Sequence, residues 1–138
     1  MKTSPLDALF KPQSVAVIGA SDKERSLGQA LVHNLKQGGF KGAVYPINPN
    51  YAEIQGLPAH PSISAVGAAI DLAVVAIPIR EAPAIIEECG QAGVAAAVII
   101  SAGGREAGPE GQAIEAAIAH EARRAGLRYL GPNSMGLY

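Results

Sequence analysis

Ser14-Val15-Ala16-Val17-Ile18-Gly19-Ala20-Ser21 is the stretch that decides the fold of this chain. A short, wholly apolar run breaks at Gly19, and helical periodicity returns only near Leu27. A buried parallel strand that ends in a phosphate-sized loop and feeds a helix reads this way. The tip of such a loop offers backbone N–H groups and the positive end of a helix dipole, both suited to an anion. The absent glycines weigh as much. A dinucleotide fingerprint would read Gly-x-Gly-x-x-Gly here, but after Gly19 the next glycine is Gly28. The loop therefore points to a nucleotide-type architecture and argues against NAD or FAD as its ligand.

Outward from this stretch, strands and helices alternate. Val15–Ile18 is the first predicted strand and Ser26–Gln37 the first helix, with Leu27, Leu31 and Leu35 on one face and Gly38-Gly39 ending it. Ala43–Ile47 is a second strand, closed by the turn Asn48-Pro49-Asn50. Residues 53–61 read as a loop with a brief strand at most. Ile70–Ile77 is a third strand and Glu81–Gln91 a helix, with Ala82, Ile85, Ile86 and Cys89 at helical spacing. Val94–Ile100 is a fourth strand. Pro109–Ala125 is the longest helix, turning Ile114, Ala117, Ile118, Ala122 and Ala125 inward, and Leu127–Leu130 is the last strand. Apolar strands separated by helices imply an α/β, Rossmann-like, doubly wound fold, with about five mostly parallel strands and helices on both faces.

The 138 residues are expected to form one domain with a single core. Apolar residues make up 49% of the chain and charged ones 17%, for a net charge of −1, so no basic field draws in DNA or RNA. Two Phe and four Tyr leave little for base stacking. No apolar run approaches the length of a membrane span, and Met1–Pro12 holds no signal core. The single cysteine, Cys89, excludes an internal disulfide and reads as a small buried thiol. His33, His60 and His120 share no face, so no metal site is expected. A cytoplasmic domain that binds neither nucleic acid nor membrane follows.

In an open parallel sheet, ligands sit beyond the carboxyl ends of the strands, where the strand order reverses. The candidate site is therefore the set of residues that follow each strand. The first loop supplies Gly19, Ala20, Ser21, Asp22, Lys23, Arg25 and Ser26, and the second Asn48, Pro49, Asn50 and Tyr51. Pro78 follows the third strand, Ser101, Ala102 and Gly103 the fourth, Asn133 and Ser134 the fifth. These are small residues, amides and a few cations. No paired carboxylates and no nucleophile beside a base are among them, so no catalytic residue is assigned. An NAD site would place Asp or Glu at the end of the second strand for the ribose hydroxyls, yet Ile47-Asn48-Pro49 stands there. Lys23 and Arg25 beside a helix N-terminus instead suit a ligand with several phosphate charges.

The run from Leu6-Asp7-Ala8-Leu9-Phe10-Lys11-Pro12 through Ser14–Ser21 resembles the opening of the CoA-binding domain of NDP-forming acyl-CoA synthetases. That superfamily includes the alpha subunit of succinyl-CoA synthetase. Further matching segments are Ser26-Leu27-Gly28-Gln29, Gly38-Gly39-Phe40-Lys41-Gly42, Tyr45-Pro46-Ile47-Asn48-Pro49 and Gly56-Leu57-Pro58. Others are residues 71–78, Ile100-Ser101-Ala102-Gly103 and Gly131-Pro132-Asn133-Ser134-Met135-Gly136-Leu137. Each is weak alone, but their order and spacing across nearly the whole chain are specific.

The resemblance implies that coenzyme A or an acyl-CoA lies across the strand ends. The loop around Ser21 and Lys23 would meet its phosphates, Asn48–Tyr51 with Pro78 would flank the nucleotide, and Ser101-Ala102-Gly103 would line the pantetheine path. Three departures stand out. Many relatives carry Pro-Gly where this chain has Glu24-Arg25, an aromatic residue is common at Gly104, and Ser134 stands where the ligases commonly have Cys. A similar Gly-Pro-Asn-Ser occurs in two-part protein lysine acetyltransferases, where such a domain is regulatory. Residues 1–138 are thus expected to be the N-terminal CoA-binding domain of a longer protein, non-catalytic alone, whose partner is an ATP-grasp or an acetyltransferase unit. A free-standing small CoA-binding protein and a nicotinamide-dependent oxidoreductase domain are the remaining alternatives.

Overall fold

The computed structural model describes residues 11–100 and 109–130. Five strands form the main sheet: β1 (Ser14–Ile18), β2 (Ala43–Ile47), β5 (Leu72–Val75), β6 (Ala96–Ile99) and β7 (Arg128–Leu130). Their order is β2-β1-β5-β6-β7, and every neighbouring pair is parallel. β1 is wholly buried because both its edges and both its faces are covered, as its unbroken apolar sequence requires. At its start the Ser14 hydroxyl donates to the Ala69 carbonyl at 3.1 Å and accepts from the Asp71 amide at 2.9 Å. This joins the leading ends of β1 and β5.

Among the described residues three helices cover the sheet: α1 (Leu27–Gln37), α2 (Ala82–Gln91) and α3 (Pro109–Ala125). Val32 of α1 packs with Val15 and Val17 on one face, while Ile86 of α2 and Ile118 of α3 pack with Ile18, Val75 and Ile99 on the other. The sheet is therefore doubly wound. Between β2 and β5 lies a small antiparallel hairpin of β3 (Glu53–Ile54) and β4 (Leu57–Pro58). Its two turn residues, Gln55 and Gly56, both have positive φ, 50° and 81°, as in a type I′ turn. Ile54 is fully buried against Val17 and Val32, and the hairpin is thereby anchored in the core.

Several sequence expectations need correction. Ser26 is not helical but caps α1, its extended backbone presenting the side-chain oxygen to the Gln29 amide at 3.1 Å. Leu27 does not face inward: it is 46% exposed, and the buried seam of α1 is Gly28 and Val32, with Leu31 and Leu35 at its flank. Ala125 also lies exposed, in the last turn of α3. The predicted strand Ile70–Ile77 pairs only over Leu72–Val75, and Val94–Ile100 only over Ala96–Ile99. A 3-10 turn, Ile79–Glu81, precedes α2. No helix among the described residues is long and apolar enough to cross a membrane.

Candidate functional site

The strand order reverses between β1 and β5, since the chain leaves β1 for β2 on one side and returns to β5 on the other. A crevice is expected beyond the carboxyl ends at that point. A cleft of about 280 Å³ opens there, lined by Ile18 and Gly19 after β1, Ile47, Asn48 and Pro49 after β2, and Ile77 after β5. Its far wall is Pro61 and Ser62 with Glu81, Ile85 and Glu88. Two carboxylates make this wall unfavourable for phosphate, whereas the apolar remainder suits an uncharged group.

The β1–α1 loop rims the cleft. Gly19 begins it with a φ of 90°, and its amide donates to the Ile47 carbonyl at 3.0 Å. A side chain at Gly19 would overlap the Ala76 carbonyl, and one at Gly28 would overlap the Gly19 carbonyl. The first turn of α1 is thus pressed directly onto the loop. Beyond Gly19 the loop is built from short polar contacts. The Lys23 amide donates to Ser21 Oγ at 2.9 Å, and Ser26 Oγ donates to the Lys23 carbonyl at 2.7 Å. Ser26 serves Gln29, and the Leu27 and Gly28 amides lie in the first turn, where N–H groups have no intrahelical acceptor. Lys23 and Arg25 are exposed, and neither side chain has an ion-pair partner among the described residues. Arg25 has a φ of 65°, a conformation that favours glycine.

The β2 loop folds against this one. Asn48 Nδ2 donates to the Ala20 carbonyl at 2.9 Å, while its Oδ1 accepts from the Asn50 amide at 2.9 Å to form an Asx-turn. Tyr51 reaches back so that its hydroxyl meets Ser21 Oγ at 3.3 Å. Asn48 stands at the position where a carboxylate would meet a dinucleotide ribose, and its amide is already committed to the loop. Pro78 sits at the head of the 3-10 turn after β5, beside the cleft wall formed by Ile77.

Gly19, Ala20, Ser21, Asp22, Lys23, Arg25, Ser26, Asn48, Pro49, Asn50 and Tyr51 therefore converge on one rim. Ser101, Ala102, Gly103, Asn133 and Ser134 lie outside the described residues. Sequence reading missed Ser62, Glu81 and Glu88 on the cleft wall, and Gln55, whose amide donates to Asp22 Oδ1 at 3.1 Å. The pair Gln55-Gly56 between apolar Ile54 and Leu57 was the available hairpin signal. Among the described residues no group of three His, Cys, Asp or Glu side chains could hold a metal ion.

Comparison with known proteins follows the same lines. The family model described as "CoA binding domain" matches residues 13–138. The acetate–CoA ligase [ADP-forming] I of Archaeoglobus fulgidus is 42% identical over 132 residues, covering 96% of this chain and 19% of that protein. The alpha subunit of acetate–CoA ligase [ADP-forming] I of Pyrococcus furiosus is 41% identical over 136 residues, covering 96% of this chain and 29% of the subunit. Among solved structures, the dinucleotide-forming acetyl-coenzyme A synthetase 1 of Ca. Korarchaeum cryptofilum, in complex with phosphate and ADP, superposes with a TM-score of 0.89. It is 41% identical, and the match covers 96% of this chain and 28% of that one. The chain thus spans less than a third of the length of these relatives. It belongs to the CoA binding domain family, as found in ADP-forming acyl-CoA synthetases.

Proposed function

We propose that this chain holds coenzyme A, or an acyl-CoA, for an ADP-forming acyl-CoA synthetase, with the ligand's phosphates over the loop from Gly19 to Ser26. The observation that carries this reading is the pairing of two unlike surfaces at the switch point. One is a loop with helix N-terminal amides and the cations Lys23 and Arg25; the other is a largely apolar cleft walled by Glu81 and Glu88. An anion favours the first surface and is repelled by the second. CoA has both kinds of part, a phosphorylated nucleotide end and an uncharged pantetheine arm. The synthetases named above favour this reading over an acetyltransferase sensor, and the amide at Asn48 disfavours a nicotinamide dinucleotide. In this reading residues 1–138 form one N-terminal domain of a cytoplasmic protein, whose ATP-grasp unit and phosphate-carrying residues lie elsewhere in the chain or on a second subunit. The same reading takes Ser101–Gly103, Asn133 and Ser134 as further CoA contacts.

A thermal-shift panel of CoA, acetyl-CoA, NAD, NADP and ATP tests the ligand. Stabilisation of about 2.7 kcal/mol is expected at 100 times the dissociation constant, for the CoA species alone. Calorimetry on Lys23→Ala and Arg25→Ala tests the site. Each substitution should weaken CoA about fivefold, because exposed phosphate contacts are partly screened. Cations at the 3′-phosphate would make the loss larger for CoA than for dephospho-CoA, and cations at the pyrophosphate would weaken both alike. Undiminished CoA affinity in the double variant, or a preference for NAD in the parent chain, refutes the site.

A further inference from the structure

Three consecutive residues of the β1–α1 loop are each gripped from one neighbouring segment. Asn48 Nδ2 donates to the Ala20 carbonyl at 2.9 Å, the Tyr51 hydroxyl meets Ser21 Oγ at 3.3 Å, and the Gln55 amide donates to Asp22 Oδ1 at 3.1 Å. Asn48 and Tyr51, which grip the first two, lie in the turn after β2. Gln55, which grips the third, belongs to the hairpin turn, and sequence gives no reason for it to matter to a ligand. Yet Gln55 is itself fixed on every side. Its φ of 50° is set by the turn, its Nε2 donates to the Gln29 carbonyl at 2.9 Å, and its own carbonyl accepts from Lys36 Nζ at 2.5 Å. Its neighbour Ile54 is fully buried. The Gln55 amide is therefore a rigid donor standing off α1, and Asp22 is the loop side chain that it holds.

We propose that Gln55 is a positioning residue for the CoA loop, acting through the Asp22 carboxylate. This rests on the placement of the CoA phosphates over residues 19–26. Asp22 is an anion next to Lys23 in a loop proposed to take phosphates, so taken as a bare charge it opposes binding. Held by Gln55, it has a second role. It draws the loop onto the hairpin and leaves Lys23 and Arg25 as the charges presented to the ligand. A loop already held in its bound conformation loses less freedom on binding. The two roles have opposite signs, which makes them separable.

The test is calorimetric titration of CoA into the chain carrying Asp22→Asn, Asp22→Ala, Gln55→Val, Gln55→Gly or the double change Asp22→Ala with Gln55→Val. Asp22→Asn keeps the Oδ1 acceptor and removes the charge, so it binds CoA at least as tightly as the parent. Asp22→Ala removes the acceptor as well and binds five- to tenfold more weakly. Gln55→Val places a β-branched residue at positive φ, which displaces the amide and weakens CoA to a similar degree. Gln55→Gly accepts that backbone and keeps the amide, so affinity returns to within about twofold of the parent. The double variant is weakened by less than the sum of the two single changes, because both break the Asp22–Gln55 contact. Equal affinity in Asp22→Ala and Asp22→Asn overturns the proposal, as does additivity in the double variant. Should Gln55→Val not fold, the two Asp22 variants decide the matter by themselves. The double change Lys23→Ala with Arg25→Ala is the control on the site: if it leaves CoA affinity intact, the site reading fails and the positioning role falls with it. If that double change weakens CoA but the Asp22 variants match, only the positioning role falls.

Discussion

Gly28→Ala is expected to destabilise the chain by more than about 3 kcal/mol and to abolish measurable CoA binding. Two effects compete. Alanine is the better helix former by about 1 kcal/mol, and at an ordinary exposed helical position that gain would decide the outcome. At Gly28 a Cβ would overlap the carbonyl oxygen of Gly19 and come within 3.0 Å of the Ala20 Cα. Both obstacles are backbone, in a loop already tied to Ile47 and Asn48, so neither can swing aside as a side chain would. Overpacking of this kind costs about 1–3 kcal/mol where neighbours can yield, and more where they cannot. The surviving folded molecules would hold α1 displaced from the loop, with its N-terminal amides carried away from the phosphate position. Urea denaturation and CoA calorimetry on the same sample read both consequences. A Gly28→Ala chain as stable as its parent would show that α1 does not rest on the β1–α1 loop.

Cys89 is expected to resist thiol reagents in the folded chain by on the order of a thousandfold relative to the unfolded chain. Burial on α2 pushes its thiol up from 9.0 to about 12, and the Glu88 carboxylate beside it adds to the shift. Each pH unit is a tenfold change in thiolate, the reactive form. Iodoacetamide labelling at pH 8, with and without urea, checks this. Rapid labelling of the native chain contradicts it. The same shift carries a stability consequence of definite sign. The folded-state value lies above the unfolded one, so below pH 9 the contribution is fully present. As pH rises from 9 towards 12 the unfolded chain loses its thiol proton first, and stability declines through that window. Denaturation midpoints that fall more steeply with pH in the parent than in Cys89→Ala isolate this contribution from the lysines and tyrosines that titrate nearby.

The strands were legible because burial on both faces writes itself as unbroken apolar runs, and Val15–Ile18 and Leu72–Val75 contain nothing else. The loop was legible for the same reason: Gly19 interrupts such a run at its carboxyl end. The rotation of α1 was not. Hydrophobic spacing puts Leu27, Leu31 and Leu35 on one stripe, but the helix is turned so that Gly28 and Val32 meet the sheet. A glycine carries no hydrophobic signal, although here the absence of its side chain fixes the contact. The Asp22–Gln55 contact was equally hidden. It joins residues 33 apart, through a side-chain oxygen and a backbone amide, and neither partner belongs to a periodic pattern. Polar contacts of this type follow from the path of the backbone and cannot be read before it.

The central place of β1 shapes the order in which the molecule can assemble. Its register joins Val15 to Val44 on one side and to Leu72 on the other. During synthesis from the N-terminus, β2 is complete at Ile47 while Leu72 is about 25 residues from appearing. At ribosomal rates of roughly 5–20 residues per second, that interval lasts on the order of seconds. Throughout it one edge of Ser14–Ile18, a strand without a single charge, has no partner in its own chain. Unpaired apolar edges are the sites where chains join one another, and natural sheets blunt them with charge or proline. β1 has neither device. What closes that edge is the arrival of β5, with the Ser14 hydroxyl linking Ala69 and Asp71 at the start of the new pair. The strand that founds the binding loop is thus also the one whose nascent state is most in need of dilution or shelter.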